Sequence, residues 1–235
     1  MPELRKAALV TGGAKRIGRE IALHLAKSGY DIALHFNRSS EDAQKTAAEI
    51  EQLSRRCYLV KADLGTASEL ESVIESCIRN LPYLSVLINN ASTWSGGLLT
   101  DSSCDEFDEQ FHLHVRAPFI LTRDFARMAR KGNIINILDS NIAKKRATEF
   151  AYLLSKKSLQ DLTIMAAVEL APAIRVNSIA PGLVLAPEKD KNKPHNNPLN
   201  KAGSPKDVTN AIDFFLQNET VTGQCVFVAG GKDLI

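Results

Sequence analysis

The chain has 235 residues, 44% hydrophobic and 24% charged, with a net charge of +2 at pH 7. That size and balance suit one α/β domain spanning residues 1–235 with a substantial core, and the near-neutral charge argues against a nucleic-acid binder. No apolar run of about 18 residues offers a membrane span, and Met1–Lys6 carries no signal-peptide pattern, so the sequence predicts a cytoplasmic protein without membrane partners.

Short apolar runs alternate with helix-length amphipathic stretches. The strand candidates are Ala7–Val10, Ile32–Phe36, Cys57–Val60, Ser85–Ile88, Ile134–Leu138, Arg175–Ile179 and Cys225–Val228. Helical periodicity covers Ile17–Ser28, Glu41–Leu53, Ser68–Arg79, Glu106–Ala129, Ala151–Leu170 and Pro205–Leu216. Such alternation predicts a doubly wound parallel sheet with helices on both faces, and ligands beyond the carboxyl ends of the strands.

After the first strand comes Thr11-Gly12-Gly13-Ala14-Lys15-Arg16-Ile17-Gly18. Glycine lets the backbone turn tightly beside a phosphate, and the following helix offers its N-terminal N–H groups to an anion. After the second strand, His35-Phe36-Asn37-Arg38-Ser39-Ser40 holds no acid. A ribose 2′-OH site usually has an acid there, whereas Arg38 and the serine hydroxyls suit a 2′-phosphate, which predicts NADPH. Asp31 starts its strand and lies at the wrong edge to substitute. Asp63-Leu64 follows the third strand, at the expected place of an adenine ring. Asn89-Asn90-Ala91-Ser92 follows the fourth, and Trp94, the only tryptophan, comes next on a polar loop suited to stacking on a planar ligand.

His112 and His114 stand at i and i+2, which diverge on a helix, and no cluster completes a metal site. The four cysteines, Cys57, Cys77, Cys104 and Cys225, lack C-x-x-C spacing and read as free thiols. Asp139 closes the fifth strand, thirteen residues before Tyr152, and Lys156 follows Tyr152 by four. On a helix, i and i+4 share a side, and a strand end can bring a carboxyl to them. An ammonium beside a phenol is expected to lower its pKa from about 10 and make it a tunable proton carrier. Glu188–Pro198, rich in Lys, Asn and Pro, reads as a loop after the sixth strand, either a solvated surface or a lid.

Taken together, the Thr11–Gly18 turn, Asp63-Leu64, Asn89-Asn90-Ala91, Tyr152-x-x-x-Lys156, Ile174–Gly182 and Val221-Thr222-Gly223-Gln224 resemble the short-chain dehydrogenase/reductase family over nearly the whole chain. The resemblance implies a Rossmann-type domain with a seven-stranded parallel sheet, nicotinamide-dependent redox chemistry and a homotetramer. It also places Pro181, Gly182 and Val184 beside the cofactor, with Gly12, Arg16, Ile17, His35, Asn37, Arg38, Ser39, Asp63, Leu64, Asn90, Ala91, Ser92, Tyr152 and Lys156. Arg16 at a usual glycine, Asp139 at the usual serine, and Ser92 followed by Trp94 look like pteridine reductases and bacterial dihydromonapterin reductases. In that branch the expected substrate is a dihydropterin, held by Arg16, Ser92, Trp94, Asp139 and Tyr152, with Asp139, Tyr152 and Lys156 catalytic. His114 takes the place of the family's helix asparagine, and Ala186 lies near a usual threonine.

Two other functions compete. One is a carbonyl reductase of the 3-oxoacyl-carrier-protein reductase type, which an ionised Asp139 disfavours because it cannot donate to a substrate oxygen. The other is a non-catalytic NADPH-binding protein, for which His114 is the sole motive and against which the Tyr152–Lys156 pair stands.

Overall fold

The computed structural model describes residues 5–145, 148–184 and 196–235. The strands are β1 (Lys6–Val10), β2 (Tyr30–Phe36), β3 (Cys57–Lys61), β4 (Leu84–Asn89), β5 (Gly132–Ile137), β6 (Ile174–Pro181) and β7 (Cys225–Val228). They form one seven-stranded sheet in the order β3-β2-β1-β4-β5-β6-β7, and every pairing is parallel. The sheet matches the expected doubly wound class. Each predicted strand is present, with β6 running longer than Arg175–Ile179.

Alternation along β1 shows how the two layers arise. Ala8 and Val10 pack into one apolar cluster with Ile21 and Leu25 of α1 (Arg16–Lys27) and Val208 and Ile212 of α8 (Pro205–Gln217). Ala7 and Leu9 point the other way, into a cluster with Ile74 of α4 (Val73–Asn80) and Leu121 and Phe125 of α6 (Ala117–Ala129). A strand covered on both faces needs apolar residues at every position, and for that reason these strands read as unbroken apolar runs.

Two helix boundaries depart from the sequence reading. Ser68–Arg79 is two helices, α3 (Ala67–Leu70) and α4, because the Ser72 N–H and hydroxyl both turn back to the Glu69 carbonyl and interrupt the helical ladder. Glu106–Ala129 is α5 (Cys104–Phe111), a π-helical turn at His112–Arg116, and α6. The remaining helices are α2 (Ser40–Gln52) and α7 (Phe150–Leu170). The strand order reverses between β1 and β4, where neighbouring chain connections leave in opposite directions and open a crevice at the carboxyl edge.

Candidate active site

The crevice consists of two joined cavities, of about 690 Å³ and about 420 Å³, which share Gly12, Lys15, Ala91, Ser92 and Thr93. Every candidate residue read from the sequence lines one or the other. Asn37, Arg38, Ser39, Asp63 and Leu64 line the larger, with His35. Arg16, Ile17, Asn90, Trp94, Asp139, Tyr152, Lys156, Pro181, Gly182 and Val184 line the smaller.

The turn after β1 is held from three sides. Thr11 Oγ1 accepts from the Asn90 and Ala91 N–H groups at 2.9 and 3.0 Å. Asn90 Nδ2 donates to the Thr11 and Gly12 carbonyls. Thr46 of α2 donates to the Ala14 carbonyl at 3.2 Å. Glycine is required here for two reasons. Gly12 has φ +62°, and a Cβ on Gly18 would collide with the Gly12 carbonyl oxygen. Arg16 occupies the left-handed region at φ +52° without being glycine, and such strain persists where surrounding structure over-determines it.

His35 is buried and both ring nitrogens are committed. Nδ1 accepts from the Gly12 N–H at 3.1 Å, and Nε2 lies 3.1 Å from the Ala62 carbonyl, which can only accept. Burial pushes its pKa down to about 4, against a smaller upward pull from the Ala62 carbonyl and Asp63. This residue, expected among the cofactor contacts, therefore holds the turn in shape; its ring has no spare nitrogen for a ligand.

At the other end, Asp139 and Tyr152 meet as the spacing predicts. The Tyr152 hydroxyl donates to Asp139 Oδ2 at 3.0 Å, and the Asn141 N–H donates to Oδ1 at 2.7 Å. Lys156 is fully buried, and its Nζ donates to the Ile137 carbonyl at 2.9 Å, lying 5.9 Å from the centroid of the Tyr152 ring. Burial lowers Lys156 to about 8, opposed by the charge of Asp139.

The expectation that Lys156 would lower the Tyr152 pKa is overturned. Burial of the phenol raises it, followed by the charge and hydrogen bond of Asp139 and the charge of Glu149. Burial sets the sign, and the carboxylate that touches the oxygen adds to it, while the ammonium lies across the ring. Tyr152 is a neutral donor in this state.

Trp94 is 64% exposed at the mouth, and its indole Nε1 donates to Glu149 Oε1 at 3.2 Å. Glu149, in the left-handed region just before α7, was not read from the sequence; a charged residue at a helix entrance is the one cue it offered. Asp105, Asp108 and Glu109 of α5 also line the larger cavity and escaped notice, and His112 was weighed only as a metal ligand, since nothing in a single helix face says that it closes a crevice. His114 is buried between Ser92 and Ser155. Asp31 is engaged by the Arg56 N–H and the Tyr83 hydroxyl, away from the crevice, as its strand-start position implied. Ala186 and most of Glu188–Pro198 lie outside the described residues. Among the described residues no group of three or more His, Cys, Asp or Glu is arranged to hold a metal, and no helix is long and apolar enough to cross a membrane.

Comparison with known proteins adds four findings. The family described as short chain dehydrogenase matches residues 6–197. The chain is 30% identical over 242 residues to the 3-oxoacyl-[acyl-carrier-protein] reductase FabG of Staphylococcus aureus, covering 97% of this chain and 98% of the relative. Among solved structures it is similar to FolM alternative dihydrofolate reductase 1 from Brucella canis, complexed with NADP. That similarity has a TM-score of 0.93 and 31% identity, covering 99% of this chain and 95% of the other. It is also similar to an acetoin dehydrogenase from Enterobacter cloacae, with a TM-score of 0.91 and 29% identity over 98% of this chain and 97% of the other.

Proposed function

Because the chain belongs to the short-chain dehydrogenase family and is an oxidoreductase of that family, we propose that it is an NADPH-dependent reductase of a dihydropterin. The observation that carries this reading is the Tyr152–Asp139 hydrogen bond, in a cavity that Trp94 also lines. A carboxylate replaces the donor that a carbonyl substrate needs, and a flat indole suits a planar bicycle.

The crevice fits a dinucleotide: a glycine turn that tolerates no Cβ at Gly18, a helix beginning at Arg16, and two cavities end to end. Asn37, Arg38 and Ser39 would hold a 2′-phosphate, with Asp63 and Leu64 against the adenine. Ile17, Asn90, Ala91, Pro181, Gly182 and Val184 would border the remainder, and Lys156 would hold the nicotinamide ribose. When bound, NADPH supplies the hydride for the carbon of the reducible C=N bond. Tyr152 delivers the proton to the nitrogen, directly or through water. A bare phenolate beside ionised Asp139 would put two negative oxygens 3.0 Å apart. The pair therefore carries one negative charge throughout, a proton entering at Asp139 as Tyr152 gives its own away. Arg16 faces the polar edge of the substrate.

The identity to FabG favours a second reading, reduction of a 3-oxoacyl thioester. Turnover with NADPH on dihydropterins and on a β-ketoacyl thioester separates the two. Dihydropterin reduction without ketoacyl reduction is expected; the reverse would overturn the proposal. Arg38→Ala should weaken NADPH roughly ten- to a hundredfold while sparing NADH, the scale of one charge-assisted contact. We further propose a cytoplasmic homotetramer. In support, α7 leaves Met165 and Val168 more than two-thirds exposed, on the flank that also presents Leu154.

A further inference from the structure

His114 lies in the π-helical turn, almost wholly buried, with its ring edge-on to Tyr152 at 5.5 Å between centroids. Its Nδ1 is 2.9 Å from Ser155 Oγ and its Nε2 is 2.9 Å from Ser92 Oγ. The protons along this chain can be placed one at a time. Ser155 has a single hydroxyl proton, and it goes to the Tyr152 carbonyl at 2.7 Å, a group that only accepts. Ser155 Oγ must then accept from His114, so Nδ1 carries the ring proton. A neutral imidazole has no second proton, so Nε2 is bare and accepts from the Ser92 hydroxyl. The other acceptor within reach of that hydroxyl, the Thr93 carbonyl at 3.2 Å, would also consume its proton.

We propose that His114 is a positioning residue that fixes Ser92 as a hydrogen-bond acceptor toward the cleft, so that this wall selects a ligand carrying an N–H donor. Burial, and then the charge of Lys156, keep His114 neutral, with a pKa down at about 2. Ser92 lines both cavities, and Asp139, an acceptor in the smaller one, takes the Tyr152 hydroxyl and the Asn141 N–H. Two acceptors in one slot favour an aminated heteroaromatic ring over one that lacks the amine. The inference rests on the dihydropterin reading for the identity of that ring, and names the amine as what the wall recognises.

The test has two parts, both on the NADP-loaded protein. Nitrogen NMR of ¹⁵N-histidine protein, with His114→Asn to assign the signal, should show a protonated Nδ1 and a bare Nε2. A protonated Nε2, in either the other tautomer or the imidazolium, would overturn the proposal. Affinities are then compared for pterin and for 4-hydroxypteridine, which lacks the 2-amino group. Pterin should bind tighter by on the order of tenfold. Ser92→Ala and His114→Phe should erase that ratio, and His114→Asn, which offers one donor and one acceptor, should restore much of it. A uniform loss of both ligands in Ser92→Ala, with the ratio intact, would reduce the chain to a packing feature and overturn the proposal. Equal binding of the two pteridines would do the same while leaving the dihydropterin reading standing. Failure of both to bind would overturn that reading and, with it, the ligand named here.

Discussion

The Tyr152 hydroxyl touches a carboxylate at 3.0 Å, whereas the nearest ammonium stands across its ring. Removing that hydroxyl deletes the donor and leaves the cavity wall in place. Tyr152→Phe should therefore bind NADP nearly as well as the unmodified protein and turn over about a hundredfold more slowly or worse, the scale of general acid catalysis. Single-turnover kinetics check it, and near-full turnover with chemistry rate-limiting would refute the assigned role. Asp139→Asn keeps the shape and removes the acid, so it should slow reduction more than it weakens pterin binding; the comparison of kcat with Kd reads this out. At this scale the sequence was informative about partners and poor about sign. Spacing alone put Tyr152, Lys156 and Asp139 together. The direction of the Tyr152 shift depends on which charge reaches the oxygen and on burial, neither of which a one-dimensional pattern contains. His35 shows the same limit: its place at the end of β2 suggested a ligand contact, and it lines the cavity while its ring nitrogens bond the backbone of Gly12 and Ala62.

The first helix and the turn before it form one unit whose tolerance is set by backbone, not by side chains. Gly18 is buried in α1, and any Cβ there meets the Gly12 carbonyl oxygen and the Asn90 side chain. Gly18→Ala would be mildly favourable in an open helix. Here it should cost stability by roughly 2 kcal/mol, in the range of overpacking, and weaken NADP as the turn is pushed open. Chemical denaturation and cofactor titration measure the two effects. The strands were legible because a doubly covered sheet leaves long apolar runs. The long helix before β5 was legible only as a helix. Its π-helical turn, which brings His114 between Ser92 and Ser155, arises from tertiary contacts with α7 and the β4 loop, and an apolar period cannot report one extra residue per turn.

Two properties belong to the whole molecule. Assembly is the first: sedimentation at micromolar concentration should give a tetramer, and a stable monomer of the 25.7 kDa chain would refute it. The second is acid stability. His35 and His114 titrate near 6.5 when unfolded but only at about 4 and about 2 when folded. The unfolded chain thus binds more protons below pH 6.5, so stability is full above that value and drains as pH falls. At pH 5.5 the loss is on the order of 1.4 kcal/mol per histidine. Thermal melts from pH 7.5 to 5 should show it, and His35→Gln should flatten the slope. The suture between the first turn and the fourth strand also sets a schedule for synthesis. Thr11 bonds to Ile88, Asn90 and Ala91, so its partners lie 77 to 80 positions downstream. On a ribosome the first strand and helix emerge early and wait. The nucleotide cradle cannot close until the fourth strand has left the exit tunnel and slid in beside the first. Cofactor capture is therefore a late event in the life of a nascent chain, and its onset would time the moment at which the two halves of the sheet join.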